Sequence, residues 1–190
     1  MGHGQPRLHY AVSIDNSVMV ATCLREGDDK DKQYGDGKRT PLFVAVERKN
    51  LTICKMLVEA GASQVLTNTE GMTPLHAAVL VCASEIVELL AKSDTDALFK
   101  VDSYGSLPWT MAHRLYRLCK GYGRSASEKV GILGTIETFL DTRMTEAHDN
   151  AVQDMRDSYP NTTLPETVQQ MLTAETAWQA SMRATRRGSV

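Results

Sequence analysis

The sequence predicts an all-α solenoid of about four helix-turn-helix units, joined by turn-rich fingers and followed by further helices at the C-terminal end. Three observations predict it. A six-residue pattern recurs: Thr40-Pro41-Leu42-Phe43-Val44-Ala45 precedes Thr73-Pro74-Leu75-His76-Ala77-Ala78 by 33 residues, and Leu107-Pro108-Trp109-Thr110-Met111-Ala112 follows 34 later. A fixed period of this length marks stacked units that bury their apolar faces on each other. Each middle unit also carries a second stretch with helical apolar periodicity, and glycine-bearing turns separate the units.

The first unit spans about residues 6–38. Its Leu8-His9-Tyr10-Ala11 stands 34 residues before Leu42-Phe43-Val44-Ala45. The segment from Asp28 to Lys38 is charged and carries Gly35 and Gly37, so a mobile finger is expected there.

The second unit covers about 39–71. Leu51 to Ala62 reads as its second helix and exit, with Ile53, Met56 and Leu57 on one face. Gly61 suits the position after the helix, where glycine takes the left-handed conformation cheaply.

The third unit, about 72–105, repeats the pattern with Glu85 to Leu90. Asp94 stands at its glycine position, so a different exit is expected. Thr73 can cap the first helix through its hydroxyl, and Pro74 fits the first helical position. Leu75 and Ala78 face the neighbouring unit. Asn68-Thr69-Glu70-Gly71 and Ser103-Tyr104-Gly105 form the turns between units.

The fourth unit, about 106–142, departs most. The leucine that ends the second helix stands 16 residues after the proline in earlier units, whereas Leu140 stands 32 after Pro108. An insertion near 119–127 therefore interrupts the unit. Pro108 to Leu118 forms the first helix, Gly121 to Ser127 the loop, and Ser127 caps a helix running to about Leu140.

Residues 143–190 form a C-terminal helical extension without the repeat signature. Thr145 to Ser158 is polar and helical in propensity, and Tyr159-Pro160-Asn161 breaks it. A later helix from Thr163 or Pro165 carries the stripe Leu164, Val168, Met171, Leu172, Trp178 and Met182. That helix either shields the last repeat or presents Trp178 as a docking face. Arg183, Arg186 and Arg187 read as a solvated tail.

Composition narrows the function classes. The chain has 190 residues, 42% of them hydrophobic and only 6% aromatic, which suits an aliphatic core of close-packed short helices. A net charge of −2 argues against a generic nucleic-acid binder. Cys23, Cys54, Cys82 and Cys119 are spaced 31, 28 and 37 apart, which is neither a zinc pattern nor a disulfide framework. No apolar run is long enough to cross a membrane, and no secretory leader is recognisable, so a cytoplasmic or nuclear location is expected. The five histidines show no ligand spacing, and no phosphate loop or nucleophile–base set appears, so no enzyme activity, cofactor or metal is expected.

The Thr73-Pro74-Leu75-His76-Ala77-Ala78 hexapeptide and its period resemble the ankyrin-repeat family. The resemblance implies an ankyrin-repeat solenoid with β-hairpin fingers and a protein partner held on the concave face. It implies that His76 bridges loops by hydrogen bonds. His9 occupies the matching place in the first unit, while Phe43 and Thr110 alter it in the second and fourth.

Family positions that read the partner fall on Asp36, Arg39, Glu47 and Arg48 in the second unit. In the third they fall on Thr69, Glu70, Met72, Leu80 and Val81, and in the fourth on Ser103, Tyr104, Ser106, Arg114 and Leu115. One end of this set is charged. The other is apolar, from Met72 to Leu115, and either contacts the partner or is covered by the loop after Leu118 or by C-terminal helices.

The implied function is a non-catalytic protein–protein interaction module: a scaffold, adaptor or inhibitor. Two alternatives stand beside it. One is a targeting or regulatory part of a larger enzyme or channel. The other is IκB-like sequestration of a transcription factor, to which Ala45-Val46-Glu47-Arg48-Lys49-Asn50 has a loose likeness. Self-association stays open. No nucleic acid and no membrane insertion are expected.

Overall fold

Among the described residues, 4–121 and 127–158 of this computed structural model, regular structure consists of helices and turns. Each unit is an antiparallel helix pair: α1 (Arg7–Ser13) with α2 (Ser17–Arg25), α3 (Pro41–Glu47) with α4 (Leu51–Glu59), and α5 (Pro74–Leu80) with α6 (Ser84–Ser93). Then come α7 (Pro108–Gly121) and α8 (Ser127–Ser158). First helices stack on first helices and second on second, α1 on α3 on α5 on α7 and α2 on α4 on α6. One compact unit is Met1–Asp149; of the other, Asn150–Val190, only the last turns of α8 are described.

The period sets the core. Leu8, Leu42, Leu75 and Trp109 occupy one buried row, and Ala11, Ala45, Ala78 and Ala112 the next. Alanine in every unit lets the stacked first helices approach closely, because each added methylene would have to be accommodated in a close-packed interior. Cys23, Leu57, Leu90 and Leu140 form the matching row of second helices, so Leu140 fills the place its spacing predicts.

Helix starts follow local chemistry. The Thr40 hydroxyl accepts from the Phe43 N–H at 3.2 Å, and Thr73 does the same for His76 at 3.4 Å, each with proline at the first helical position. Asn16 and Asn50 cap α2 and α4 through their side-chain oxygens, on the Met19 and Ile53 N–H groups. Ala83 stands at the same place before α6, with nearly the same backbone angles and no side-chain cap.

Helix exits also follow expectation in part. Gly61 has φ +76°, as its place after α4 requires. Asp94 instead takes an extended conformation (φ −146°), and the chain continues into a 3-10 turn, Asp96–Phe99.

Four expectations need correction. The fingers are tight turns rather than β-hairpins: among the described residues no strand forms, and Tyr34 and Arg39 make one isolated antiparallel bridge. A ladder has no room to extend: the Asn68 N–H bonds the Met72 carbonyl at 3.0 Å, and Thr73 caps α5 directly after it.

The first finger, expected to be mobile, is held at several points. The Lys32 carbonyl accepts from His9 Nε2 at 2.6 Å, the Asp31 carboxylate accepts the Ser63 N–H at 2.8 Å, and Gln33 donates to the Thr67 carbonyl at 2.7 Å.

In the fourth unit the first helix runs past Leu118 to Gly121; most of the loop expected at Gly121 to Ser127 lies outside the described residues. α7 has 14 residues where α1, α3 and α5 have 7, so it runs straight through the point at which the others turn. Those turns need a left-handed residue, supplied by Asp15, Lys49 and Cys82 with φ between 54° and 56°. Tyr116, at the corresponding place, simply continues the helix.

Finally, α8 does not stop near Leu140. It continues to Ser158 with no break at residue 142. The later C-terminal helix, the Trp178 face and the arginine tail lie outside the described residues.

Candidate protein-binding face

The finger turns are built by side-chain carboxyl and amide oxygens. Asn68 Oδ1 accepts the N–H groups of Glu70 and Met72, both at 2.9 Å, and Asp102 Oδ1 accepts those of Tyr104 and Ser106 at 2.9 and 2.8 Å. Gly71 then adopts φ +70°, and a Cβ there would lie 2.7 Å from the Ser103 nitrogen. Glycine is therefore required twice, for its backbone angle and for the close approach of the next finger.

That approach is a hydrogen bond. The Ser103 N–H donates to the Glu70 carbonyl at 3.0 Å, and the Thr69 N–H donates to the Gly37 carbonyl at 3.1 Å. The three fingers are thus laced together through the main chain. The lacing also fixes register. Gly37 pairs as Glu70 does, so the left-handed place of Gly71 is taken in the first finger by Lys38, with φ 47°. The first finger is one residue longer than the second, since the Tyr34 N–H bonds the Arg39 carbonyl whereas the Asn68 N–H bonds the Met72 carbonyl.

His76 anchors the base of the last finger. A carbonyl can only accept, so Nε2 donates to the Ser106 carbonyl at 3.0 Å. Nδ1 then carries the lone pair that accepts from the Thr73 N–H at 3.2 Å, and it lies 2.9 Å from the Thr73 hydroxyl. Burial lowers the His76 pKa below its ordinary value of 6.5, against smaller opposing effects of the Ser106 carbonyl and Asp102. Protonation would also set a second donor against the Thr73 N–H. His9 has the same bridging role toward Lys32, and burial lowers its pKa too. Thr110, at the fourth-unit place, bonds only locally to the Leu107 carbonyl.

The predicted site residues separate into two groups. At the charged end, Arg39 donates to Glu47 at 2.9 Å, and Arg48 grips Asp15 through two nitrogens at 3.0 and 2.6 Å. The Arg48 hydrogen bond holds the Asp15 carboxyl below its ordinary pKa, with Asn50 adding to it. These charges are spent on each other. Asp36 and Glu70 are exposed, as are Thr69 and Ser103, while Ser106 is half-buried.

At the other end, Leu80 is 45% exposed and Tyr104 is 77% exposed. Met72, Val81 and Leu115 are half-buried, and Arg114 is exposed. Leu80 is therefore open, whereas Val81 and Leu115 are partly covered.

Sequence reasoning missed two members of this face. Arg117 and Leu118 stand on the additional turns of α7, three and four residues after Arg114, and both are exposed. The signal was present in the helical spacing of these three residues within the expected helix Pro108 to Leu118, but the family's partner-reading positions end at Leu115. Phe99 and Val101, beside the last finger, are also exposed apolar residues not anticipated.

A cleft of about 220 Å³ lies between the first finger and α1, lined by His9, Ser13, Tyr34 and Arg39 among others. It is smaller than the pockets that enclose small molecules. Among the described residues, no group of three or more His, Cys, Asp or Glu is arranged to hold a metal ion, and no helix is long and apolar enough to cross a membrane.

Comparison with known proteins agrees with this architecture. The family model of ankyrin repeats, in three copies, matches residues 8–100. The chain is 38% identical over 76 residues to human neurogenic locus notch homolog protein 4, covering 40% of this chain and 4% of that protein. It is 28% identical over 153 residues to the probable 26S proteasome regulatory subunit p28 of Saccharomyces cerevisiae, covering 80% of this chain and 64% of that protein. The crystal structure of the ankyrin repeat domain of Bcl-3, a member of the IκB family, superposes with a TM-score of 0.52 at 27% identity, covering 55% of this chain and 45% of the other. The stacked helix pairs, the laced fingers and these likenesses lead to one identification: this chain is an ankyrin-repeat protein.

Proposed function

We propose that the chain is a non-catalytic interaction module, a scaffold, adaptor or inhibitor, that holds a partner protein on the concave face. Ankyrin repeats in general are protein–protein interaction modules, and that general role is the starting point. The observation that supports the finer reading is the exposure of Leu80 and Tyr104 on a scaffold whose repeat-motif polar residues hydrogen-bond within the fold. Thr73, His76 and Asn68 direct their side chains to hydrogen bonds within the fold, as does Asp102 through Oδ1. Side chains left over for recognition are the exposed ones of the first helices and finger tips.

The test is affinity capture from the native cell with wild-type chain and with a Leu80→Glu, Tyr104→Glu double variant. Loss of captured protein, with helical circular dichroism unchanged, supports the concave face. Undiminished capture removes that assignment. The four free cysteines suit a reducing compartment, so the proposed setting is cytoplasmic or nuclear.

A second reading has its own support. The chain spans only 4% of the notch homologue it resembles. The same face then serves as a targeting or regulatory part of a longer polypeptide, and sequencing the full-length transcript separates the two. Sequestration of a transcription factor, as an IκB-type inhibitor performs, is a narrower form of the first reading; likeness to the Bcl-3 repeat domain supports the architecture such a role needs.

A further inference from the structure

The last first helix is basic in a way the rest of the face is not. From Ser103 to Ser127 the sequence contains no aspartate or glutamate. α7 lies wholly inside this stretch and carries Arg114, Arg117 and Lys120. Lys120 stands over the Tyr116 ring, 5.9 Å from its centroid. Arg114 and Arg117 are exposed and form no ion pair among the described residues. At the other end of the array, Arg39 and Arg48 are each neutralised by a carboxylate within 3 Å.

Helical spacing puts Arg114, Arg117 and Leu118 on one stripe of α7. Leu80, on the neighbouring first helix α5, stands one repeat earlier than Arg114, at the matching place. Exposed leucines thus flank guanidinium groups that have no ion-pair partner among the described residues.

We propose that this stripe, with Leu80, receives an acidic segment of a partner protein whose carboxylates meet Arg114 and Arg117 and whose apolar side chains cover Leu80 and Leu118. The inference rests on the interaction-module reading and names the chemistry of the partner. Guanidinium forks match carboxylates bidentately, and among the described residues no carboxylate takes up that capacity. A polyphosphate ligand is disfavoured, because exposed leucines offer a phosphate backbone nothing and the chain as a whole carries −2.

The test is panning of a displayed library of random 16-residue peptides on the full chain. The expected result is enrichment of Asp and Glu interleaved with Leu, Ile or Phe, with binding that weakens as salt is raised. An Arg114→Glu, Arg117→Glu variant should bind the selected peptides at least tenfold more weakly, and Leu118→Ser should weaken them several-fold. The inference is overturned if no peptide is selected, if the selected peptides lack acidic enrichment, or if charge reversal leaves their affinity unchanged. It is also overturned if a 20-nucleotide oligo-dT binds as tightly as the best peptide and ignores Leu118→Ser. Failure here alongside loss of cellular capture by the Leu80→Glu, Tyr104→Glu variant would leave the module reading standing with a partner of other chemistry. Undiminished capture would instead remove the face itself.

Discussion

His113 Nδ1 lies 2.9 Å from the Glu137 carboxylate at the place where every earlier unit has an apolar pair. The period makes the substitution visible. Val12, Val46 and Val79 precede His113 on the first helices, and Val20, Cys54 and Val87 precede Glu137 on the second. The Trp109 ring stacks on the imidazole with centroids 5.6 Å apart. The fourth unit has thus exchanged dispersion contact for a hydrogen bond at its helix–helix seam.

Removing one partner of such a pair leaves the other short of a hydrogen bond, whereas removing both restores an apolar seam. Glu137→Val alone should lower stability by about 1–3 kcal/mol. The His113→Val, Glu137→Val double variant should recover most of that loss. Urea denaturation of the four corners of this cycle measures it, and purely additive losses would show that the pair is not coupled.

The uncapped start of α6 gives a stabilising variant. Ala83 has φ −99° and ψ 80°, close to the −88° and 89° of Asn50, so an asparagine there needs no backbone change. Ala83→Asn should accept the Ile86 N–H and raise stability by about 0.5–2 kcal/mol. A thermal melt no higher than wild type would contradict this.

The histidine bridges predict an acid-sensitive fold. His76 and His9 have pKa values lowered by burial, from an ordinary 6.5. Below that ordinary value the unfolded chain takes up protons that the folded chain refuses. Stability is therefore full above 6.5 and falls as pH drops from there toward the lowered folded values. His76→Gln should be less stable near neutral pH but should show a flatter profile on acidification. Parallel slopes for the two proteins would assign the pH dependence elsewhere.

Thiol chemistry should follow burial. The Cys54 thiol is pushed up to about 12 by burial, and Cys23 is raised as well, chiefly by burial. Cys82 and Cys119 are only half-buried. Iodoacetamide should modify these two in the native protein and reach Cys23 and Cys54 only on unfolding, as mass spectrometry of timed digests would show. Early labelling of Cys54 would mean that α4 opens locally.

Much of this fold was readable because each repeat states the same physical solution again. Thr73-Pro74 announced a capped helix, and the spacing of Leu140 located the second helix of an interrupted unit. The face itself was less readable. Whether Arg48 is available depends on Asp15, 33 residues away, and nothing local marks them as partners. The run of α7 through Tyr116 was legible in the expected helix Pro108 to Leu118, and only its last three residues, to Gly121, were missed. The finger lacing involves main-chain groups, which every residue possesses, so no side chain announces it.

That lacing has a consequence for how such a surface changes over generations. The bonds from Thr69 to Gly37 and from Ser103 to Glu70 use peptide groups alone. The spacing and tilt of adjacent tips are consequently indifferent to which side chains those tips display. Substitutions at Thr69, Glu70, Ser103 or Tyr104 alter the message presented while the frame that presents it stays fixed. Gly71 is the exception, since any side chain there would push two tips apart. Specificity and curvature are inherited through separate sets of atoms, and one can be rewritten without disturbing the other.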